Sequence, residues 1–363
     1  MRAARILESI WWRREEPWTA RAALAPLSLL SLGYSVGAAL ARASARPLRA
    51  GAPVVSVGNL CAGGAGKTPV ALYLCERLLA RGLRPALLSR GYGGRAREGT
   101  VVCDGKGPLV PAREVGDEPL LVALRCPGLL VLAGRRRALL AAEAVRRGAD
   151  VLVLDDGLQH HALARDLDVI VVDATNPLGN GRLLPRGPLR ERPAALGRVG
   201  PRGLLWLSNA RDRGPDPQLD ALLAGASALG LRGPVESALD GRAPGLRGAA
   251  VFLLAGIARP ERFAEQARVL GARVLGQAFF ADHHPFGPAD LASVRARAAA
   301  AGAERIVTTE KDLVRIHGSL GPATLEGMPI EALPVDLRLL RGADALEAAL
   351  DFALARPPAG ARA

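Results

Sequence analysis

Gly63-Gly64-Ala65-Gly66-Lys67-Thr68 brings together the groups that hold a polyphosphate. Glycines let backbone N–H groups approach phosphate oxygens. Lys67 can reach the outer phosphates, and the Thr68 hydroxyl can ligate Mg2+. The loop follows an apolar run and precedes a helical pattern, the context a phosphate loop requires. Cys61 and Ala62 complete it, and Cys61 stands where the common pattern has glycine. The expected ATP-binding set is Cys61, Ala62, Gly63, Gly64, Ala65, Gly66, Lys67 and Thr68, with Mg2+ accompanying ATP. Ala62 occupies the place of the extra lysine of partition ATPases and nitrogenase iron proteins, which argues against that class. The absence of an Asn-Lys-x-Asp motif argues against GTP.

Acidic residues supply the second chemistry. Val151–Leu154 leads into Asp155-Asp156, an apolar strand ending in carboxylates at the edge where open α/β sheets bind ligands. One of the two is expected to hold Mg2+, directly or through water. Asp117-Glu118 precedes a helical pattern. It reads either as an acidic helix start or as a base for a sugar hydroxyl. The Gly/Pro-rich segment Asn176–Arg192 carries Arg182, Arg186, Arg190, Glu191 and Arg192, either a solvated basic loop or a source of charge stabilisation. His283 and His284 follow Asp282, and here structural and acid–base roles both stay open. No further ligands suggest zinc.

The elements that must position these groups alternate. Strands are expected at Pro53–Val57, Pro85–Leu88, Leu129–Leu132, Val151–Leu154, Val169–Val172 and Gly203–Leu207, with helices at about Pro69–Arg81 and Arg136–Arg147. Continuous apolar runs of this kind mark strands buried on both faces of a parallel sheet. After the Gly-, Pro- and Asp-rich residues 210–247, a second series follows: strands Ala250–Leu254, Arg273–Leu275 and Arg305–Thr308, helices Pro260–Leu270 and Pro288–Ala301. The fold class is α/β: a P-loop NTPase-like, doubly wound, mainly parallel sheet with a second, smaller α/β domain. The expected division is residues 1–45 as a membrane-associated segment, 46–232 as the ATP-binding domain and 233–363 as the smaller domain. Pro357 onward reads as a frayed end.

The whole chain bounds the reading. Its 363 residues suggest two domains, and 49% hydrophobic with 23% charged residues is an ordinary globular balance. The net charge of +13 is spread as dispersed arginine without a basic tail, which argues against nucleic acid. Cys61, Cys75, Cys103 and Cys126 form no C-x-x-C pair, so reduced thiols are expected. Ala22–Ala41 carries no charge, and Ile6, Leu7, Ile10 and Trp11 share a helical face before it. A secretory signal, a buried helix pair and membrane attachment all compete here. Attachment, spanning or interfacial with Trp at the headgroups, suits the pattern best. Arg flanks both ends of the run, so charge assigns no orientation.

Taken in order, several stretches resemble the tetraacyldisaccharide 4'-kinase family of lipid A synthesis. They are Ser56–Pro69, Leu88-Ser89-Arg90-Gly91-Tyr92-Gly93-Gly94, Gly116-Asp117-Glu118-Pro119, Leu154-Asp155-Asp156-Gly157-Leu158-Gln159-His160 and Gly179–Glu191. Ala255-Gly256-Ile257-Ala258-Arg259-Pro260, Asp282-His283-His284 and Thr309-Glu310-Lys311-Asp312 follow. The resemblance implies transfer of the ATP γ-phosphate to the 4'-hydroxyl of an acylated disaccharide 1-phosphate. Two hinged domains would do this at the inner membrane, with the catalytic domains on the cytoplasmic side. It further implies Asp117 as base with His283 from the other domain, meeting on closure. Thr68, Asp155 and Gln159 are implied around Mg2+, with Glu118, Asp156, Arg190 and Glu191 in support. Cys61 replaces a usual Ser or Thr, and Arg186 a small residue. The alternative readings are another membrane-associated P-loop ATPase or a small-metabolite kinase.

Overall fold

The computed structural model describes residues 10–14, 24–92, 94, 99–110, 112–320 and 328–355. In chain order the elements begin with α1 (Ala25–Ser44), β1 (Val54–Gly58), α2 (Lys67–Ala80), β2 (Pro85–Ser89) and β3 (Thr100–Asp104). Next come α3 (Ala112–Val115), α4 (Asp117–Arg125), β4 (Leu130–Ala133), α5 (Arg137–Arg146), β5 (Val151–Asp155) and β6 (Leu167–Asp173). These lead to β7 (Gly203–Ser208), α6 (Pro217–Ala228), β8 (Arg232–Gly241), β9 (Ala250–Ala255), α7 (Pro260–Val269) and β10 (Arg273–Phe279). The last are α8 (Pro288–Ala300), β11 (Arg305–Thr309), α9 (Glu310–Leu320), β12 (Ile330–Leu333), β13 (Val335–Arg341) and α10 (Ala343–Leu354).

Two compact units interleave along the chain. One comprises Met1–Leu88, Arg137–Ala238 and Leu339–Ala363; the other comprises Ser89–Arg136 and Leu239–Arg338. The sequence reading instead cut the chain once, near residue 233. The segment carrying α4 groups with the later residues because its packing partners are there: α4 lies against α9. Local composition cannot announce partners so distant in the chain.

In the first unit six strands run in the order β8-β7-β6-β1-β5-β2, every neighbouring pair parallel. β1, β5, β6 and β7 are buried at every residue, as their unbroken Val/Leu/Ile runs require. The chain steps from β1 to β2 on one side and then to β6, β7 and β8 on the other. The reversal lies at β1, and ligands bind outside the carboxyl ends of strands at such a point. The second unit has its own parallel sheet, β10-β9-β11-β12, and an antiparallel pair, β3 with β4. Both expected α/β series are therefore present, except that the strand expected at Leu129–Leu132, β4, groups with the second unit. The reading missed β3, β8, β12 and β13 and the helices α3, α6, α9 and α10, while the helical pattern expected after Asp117-Glu118 is α4. β8, with Gly and Pro at its start, and β10, exposed at alternate residues, lack the all-apolar signature that marked the others.

α1 is inverted relative to an ordinary surface helix. Ser31 is buried and Ser28 and Ser35 are half-buried, whereas Leu29, Leu30, Leu32, Val36 and Leu40 are exposed, Leu29 by 74%. Ser31 Oγ donates to Leu27 O and to Leu183 O, each at 2.9 Å. No described helix is long and apolar enough to cross a membrane. Residues 22 and 23 of the uncharged run, Ile6, Leu7 and Pro357 onward lie outside the described residues. Trp11 was expected at a membrane interface. Its indole N–H instead donates to Pro185 O at 2.9 Å, and Trp12 packs on the core that includes Leu60, Leu178 and Leu219.

Candidate active site

The phosphate loop lies between β1 and α2. Gly66, at φ +83°, turns the chain into α2, a left-handed step that glycine takes without steric cost. Lys67 and Thr68 thus head the helix, where backbone N–H groups have no intrahelical partner and the dipole favours anions. Pro69 fits in this first turn because no hydrogen bond is lost there. Ser208 at the end of β7 donates to Ala65 O at 2.8 Å and steadies the loop. Lys67 Nζ folds back onto Asn59 Oδ1 at 3.3 Å, Gly63 O at 3.5 Å and Asp156 Oδ1 at 3.6 Å.

The Gly/Pro-rich loop is zipped to the start of the phosphate loop. Ala62 N donates to Pro188 O at 2.6 Å and Arg190 N to Leu60 O at 2.7 Å. That pairing delivers Arg190, whose Nη1 contacts both Asp156 oxygens at 2.7 and 2.9 Å. Burial pushes the Asp156 carboxyl up, but Lys67 and Arg190 outweigh it and hold its pKa below the ordinary value. Buried Glu191 pairs with Arg198 at 2.7 Å and with Arg42 of α1 at 3.4 Å. Arg186, for which the sequence offered no reason, is buried: its N–H donates to Ser31 Oγ at 3.4 Å and its guanidinium to Ser28 Oγ. It ties α1 to the loop. The Cys61 thiol points into the apolar core and reaches Pro177 O at 3.5 Å, so a hydroxyl there is not needed to hold the loop.

A Mg2+ ion fits the oxygens at the head of α2. Thr68 Oγ1 lies 3.2 Å from Asp155 Oδ2, and both are hard donors. Among the described residues no group of three or more His, Cys, Asp and Glu could hold a metal. Mg2+ takes few protein ligands and completes its octahedron with phosphate oxygens and water. Gln159, the third implied ligand, is turned to other work. Its amide donates to Asn59 O at 3.1 Å and Glu191 Oε1 at 3.0 Å, and its Oε1 accepts from Arg190 at 3.3 Å.

Asp117 and His283 both lie in the second unit, not in separate domains as expected. Gly116 has φ +85°, and a Cβ there would sit 2.3 Å from Tyr92 O, so only glycine lets these backbones touch and aims the first residue of α4. His283 Nδ1 lies 3.4 Å from Asp117 Oδ2. His283 is left-handed at φ +56°, an uncommon conformation for a non-glycine residue, held by its N–H donating to Gly256 O at 3.0 Å. Burial pushes Asp117 up, yet hydrogen bonds from His283 and Arg315 and the Lys311 charge hold it well below the carboxylate range. Its hydrogen bond to Asp117 raises the His283 pKa. His284 faces elsewhere: Nε2 lies 3.0 Å from Asp290 and the ring stacks on Phe280 at 4.6 Å between centroids. Glu118 pairs with Lys311 at 2.5 Å.

Sequence reasoning missed Arg315, whose Nη2 lies 2.6 Å from Asp117 Oδ2. It also missed Asn59 beside Lys67, and Tyr92, whose ring centroid is 6.0 Å from that of His283. The one available signal was Asp312 three residues before Arg315, a pairing distance on a helix.

The match to known proteins covers nearly all of this chain. The family model described as tetraacyldisaccharide-1-P 4'-kinase matches residues 20–355. A tetraacyldisaccharide 4'-kinase of Anaeromyxobacter sp. (strain K) is 50% identical over 97% of this chain and 96% of its own. One from Parvibaculum lavamentivorans is 42% identical over 92% and 94%. The crystal structure of an "apo" form of LpxK from Aquifex aeolicus in complex with ATP superposes with a TM-score of 0.70 at 24% identity. It covers 92% of this chain and 99% of that one, a likeness of fold. With the phosphate loop, the Asp155 strand end and the Asp117–His283 pair all standing within the matched span, the chain belongs to the tetraacyldisaccharide 4'-kinase family.

Proposed function

We propose that the protein transfers the γ-phosphoryl group of ATP to the 4'-hydroxyl of a tetraacyldisaccharide 1-phosphate in lipid A biosynthesis. The observation that carries this reading is the Lys67–Thr68 head of α2 beside Asp155, on a chain matched by the family model over residues 20–355. The first unit supplies phosphate chemistry. Loop N–H groups and Lys67 bind the β- and γ-phosphates, and Arg190 keeps Asp156 ionised beside them. Thr68 and Asp155 would hold Mg2+, which would supply charge neutralisation to the phosphates of bound ATP. Gln159 and Glu191 brace the loop that presents Arg190.

The second unit supplies proton handling. As the 4'-oxygen forms its bond to phosphorus, its O–H bond breaks and the P–O bond to the β-phosphate breaks, the electron pair leaving with ADP. The proton passes to the Asp117–His283 pair. Asp117, strongly stabilised as an anion, orients and attracts; His283, its pKa raised by that anion, retains the proton. Family membership favours this reading over the small-metabolite kinase and the generic membrane ATPase.

On this reading the enzyme works at the inner-membrane surface, attached through α1, with the catalytic units on the cytoplasmic side where ATP is present. Its exposed Leu29, Leu30, Leu32, Val36 and Leu40 suit a helix lying in the headgroup region rather than crossing it. The test of function is radiolabel transfer from γ-labelled ATP to a monophosphorylated tetraacyl disaccharide. Mg2+-dependent transfer to the 4'-position is expected. No transfer by folded protein, or transfer only to water, overturns the reading.

A further inference from the structure

Arg315 on α9 sits at the centre of the second unit's polar cluster. Its Nη2 donates to Asp117 Oδ2 at 2.6 Å. Its Nη1 donates to Asp312 Oδ1 at 2.8 Å and Gly256 O at 3.2 Å, with His284 O at 3.5 Å. Gly256 O is the same carbonyl that accepts from His283 N. One guanidinium therefore grips the Asp117 carboxylate and the backbone that fixes the left-handed His283.

Arg315 is itself held. Asp312 is fully buried, and its Oδ2 accepts from Gly256 N at 3.0 Å and Thr309 Oγ1 at 2.7 Å. Thr309 ends β11 and Gly256 follows β9, so the guanidinium is anchored at the carboxyl ends of two strands. Planar forked geometry makes such two-sided contact a job that lysine cannot reproduce.

We propose that Arg315 is a positioning residue for the proton-accepting pair, fixing Asp117 with one end and the His283 backbone with the other so that the proton settles on His283. The proposal rests on the kinase reading above. Asp117 Oδ2 is shared by Arg315 and His283, and an anion already satisfied by a guanidinium 2.6 Å away is a poor final proton acceptor. The other charged groups at the pair are Lys311 with Glu118, Asp312, and Asp282, whose Oδ1 is 3.9 Å from His283 Nε2.

The test uses full-length Arg315→Met and Arg315→Lys, compared with the unsubstituted protein. Its first readout is the NMR titration of the His283 imidazole, which needs no turnover. In Arg315→Met the carboxylate no longer shares its charge with the guanidinium, so the His283 titration moves to higher pH. In Arg315→Lys it stays within about 0.3 units of the original, with a cation still beside Asp117. The second readout is kcat against pH with γ-labelled ATP and the tetraacyl acceptor. Arg315→Met is expected to lose kcat on the order of 10- to 100-fold, with the acid limb displaced upward and KM for ATP within about twofold. Arg315→Lys keeps the limb but recovers only part of kcat. An unmoved His283 titration and acid limb in Arg315→Met overturns the proposal even where thermal stability falls. If Arg315→Met does not fold, full kcat in Arg315→Lys overturns it. Absence of transfer by the unsubstituted protein instead removes the kinase reading, and the imidazole titration still decides the role of Arg315.

Discussion

At the phosphate loop the working residues are neighbours in the chain. At the Asp117–His283 pair they are not: Arg315 meets Asp117 across 198 positions, and His283 arrives from a third segment. The loop is shaped by local backbone rules, namely a left-handed glycine, a helix start and a Pro in its first turn. The pair is shaped by packing of α4 against α9 and by backbone gripped at the ends of two strands. A site of the first kind takes its backbone course from its own residues, with Ser208 and the Arg190 segment bracing it. A site of the second kind depends on every element that carries it.

The largest expected effect breaks the loop side. Lys67→Ala removes the cation aimed at the outer phosphates and should lower kcat/KM by on the order of 10³-fold while melting behaviour stays close to that of the parent. Near-normal turnover of folded Lys67→Ala removes the loop from the chemistry. On the other side, Asp117→Ala and His283→Ala should each lower kcat by about 10²-fold or more. The double variant should be scarcely worse than the poorer single one, since residues acting as a unit are non-additive. Multiplicative losses mean that the two act separately.

These contrasts explain what could be read from the chain alone. The all-apolar strands, the loop and the Asp155-Asp156 strand end were legible because each is a contiguous pattern with one physical meaning. The pairing of Asp117 with His283 came only through family resemblance. Its placement in one unit went unseen, because nothing near residues 89–136 marks them as packing with residues far downstream. Arg315 was invisible for the same reason. Arg186 looked anomalous because its partners, Ser28 and Ser31, face inward from a helix whose leucines face outward. An apolar segment suggests the opposite arrangement.

Smaller effects sharpen the comparison. Arg186→Met leaves Ser28 without its guanidinium partner, while the backbone N–H bond to Ser31 stays; it should cost about 1–3 kcal/mol, read as a lower Tm, with ATP affinity little changed. An unchanged Tm means that the tie between α1 and the loop adds nothing. The mildest effect is one of pH. The raised pKa of His283 means that its ion pair stabilises the fold below its ordinary value of about 6.5 and is lost as pH rises through the raised value. Asp117 is lowered, so its contribution is present above its ordinary value of about 4 and fades only in acid. The Tm deficit of His283→Ala should therefore be larger at pH 6 than at pH 9, and an equal deficit at both excludes the ion pair.

The division of labour between the two regions is tested most directly by measuring, on Asp117→Ala, the dissociation constant for Mg2+-ATP alongside kcat with the tetraacyl acceptor. The account predicts ATP affinity within about twofold of the parent and kcat reduced by about 10²-fold or more. A dissociation constant raised tenfold or more with kcat preserved contradicts it, because Asp117 would then belong to nucleotide binding and not to proton transfer.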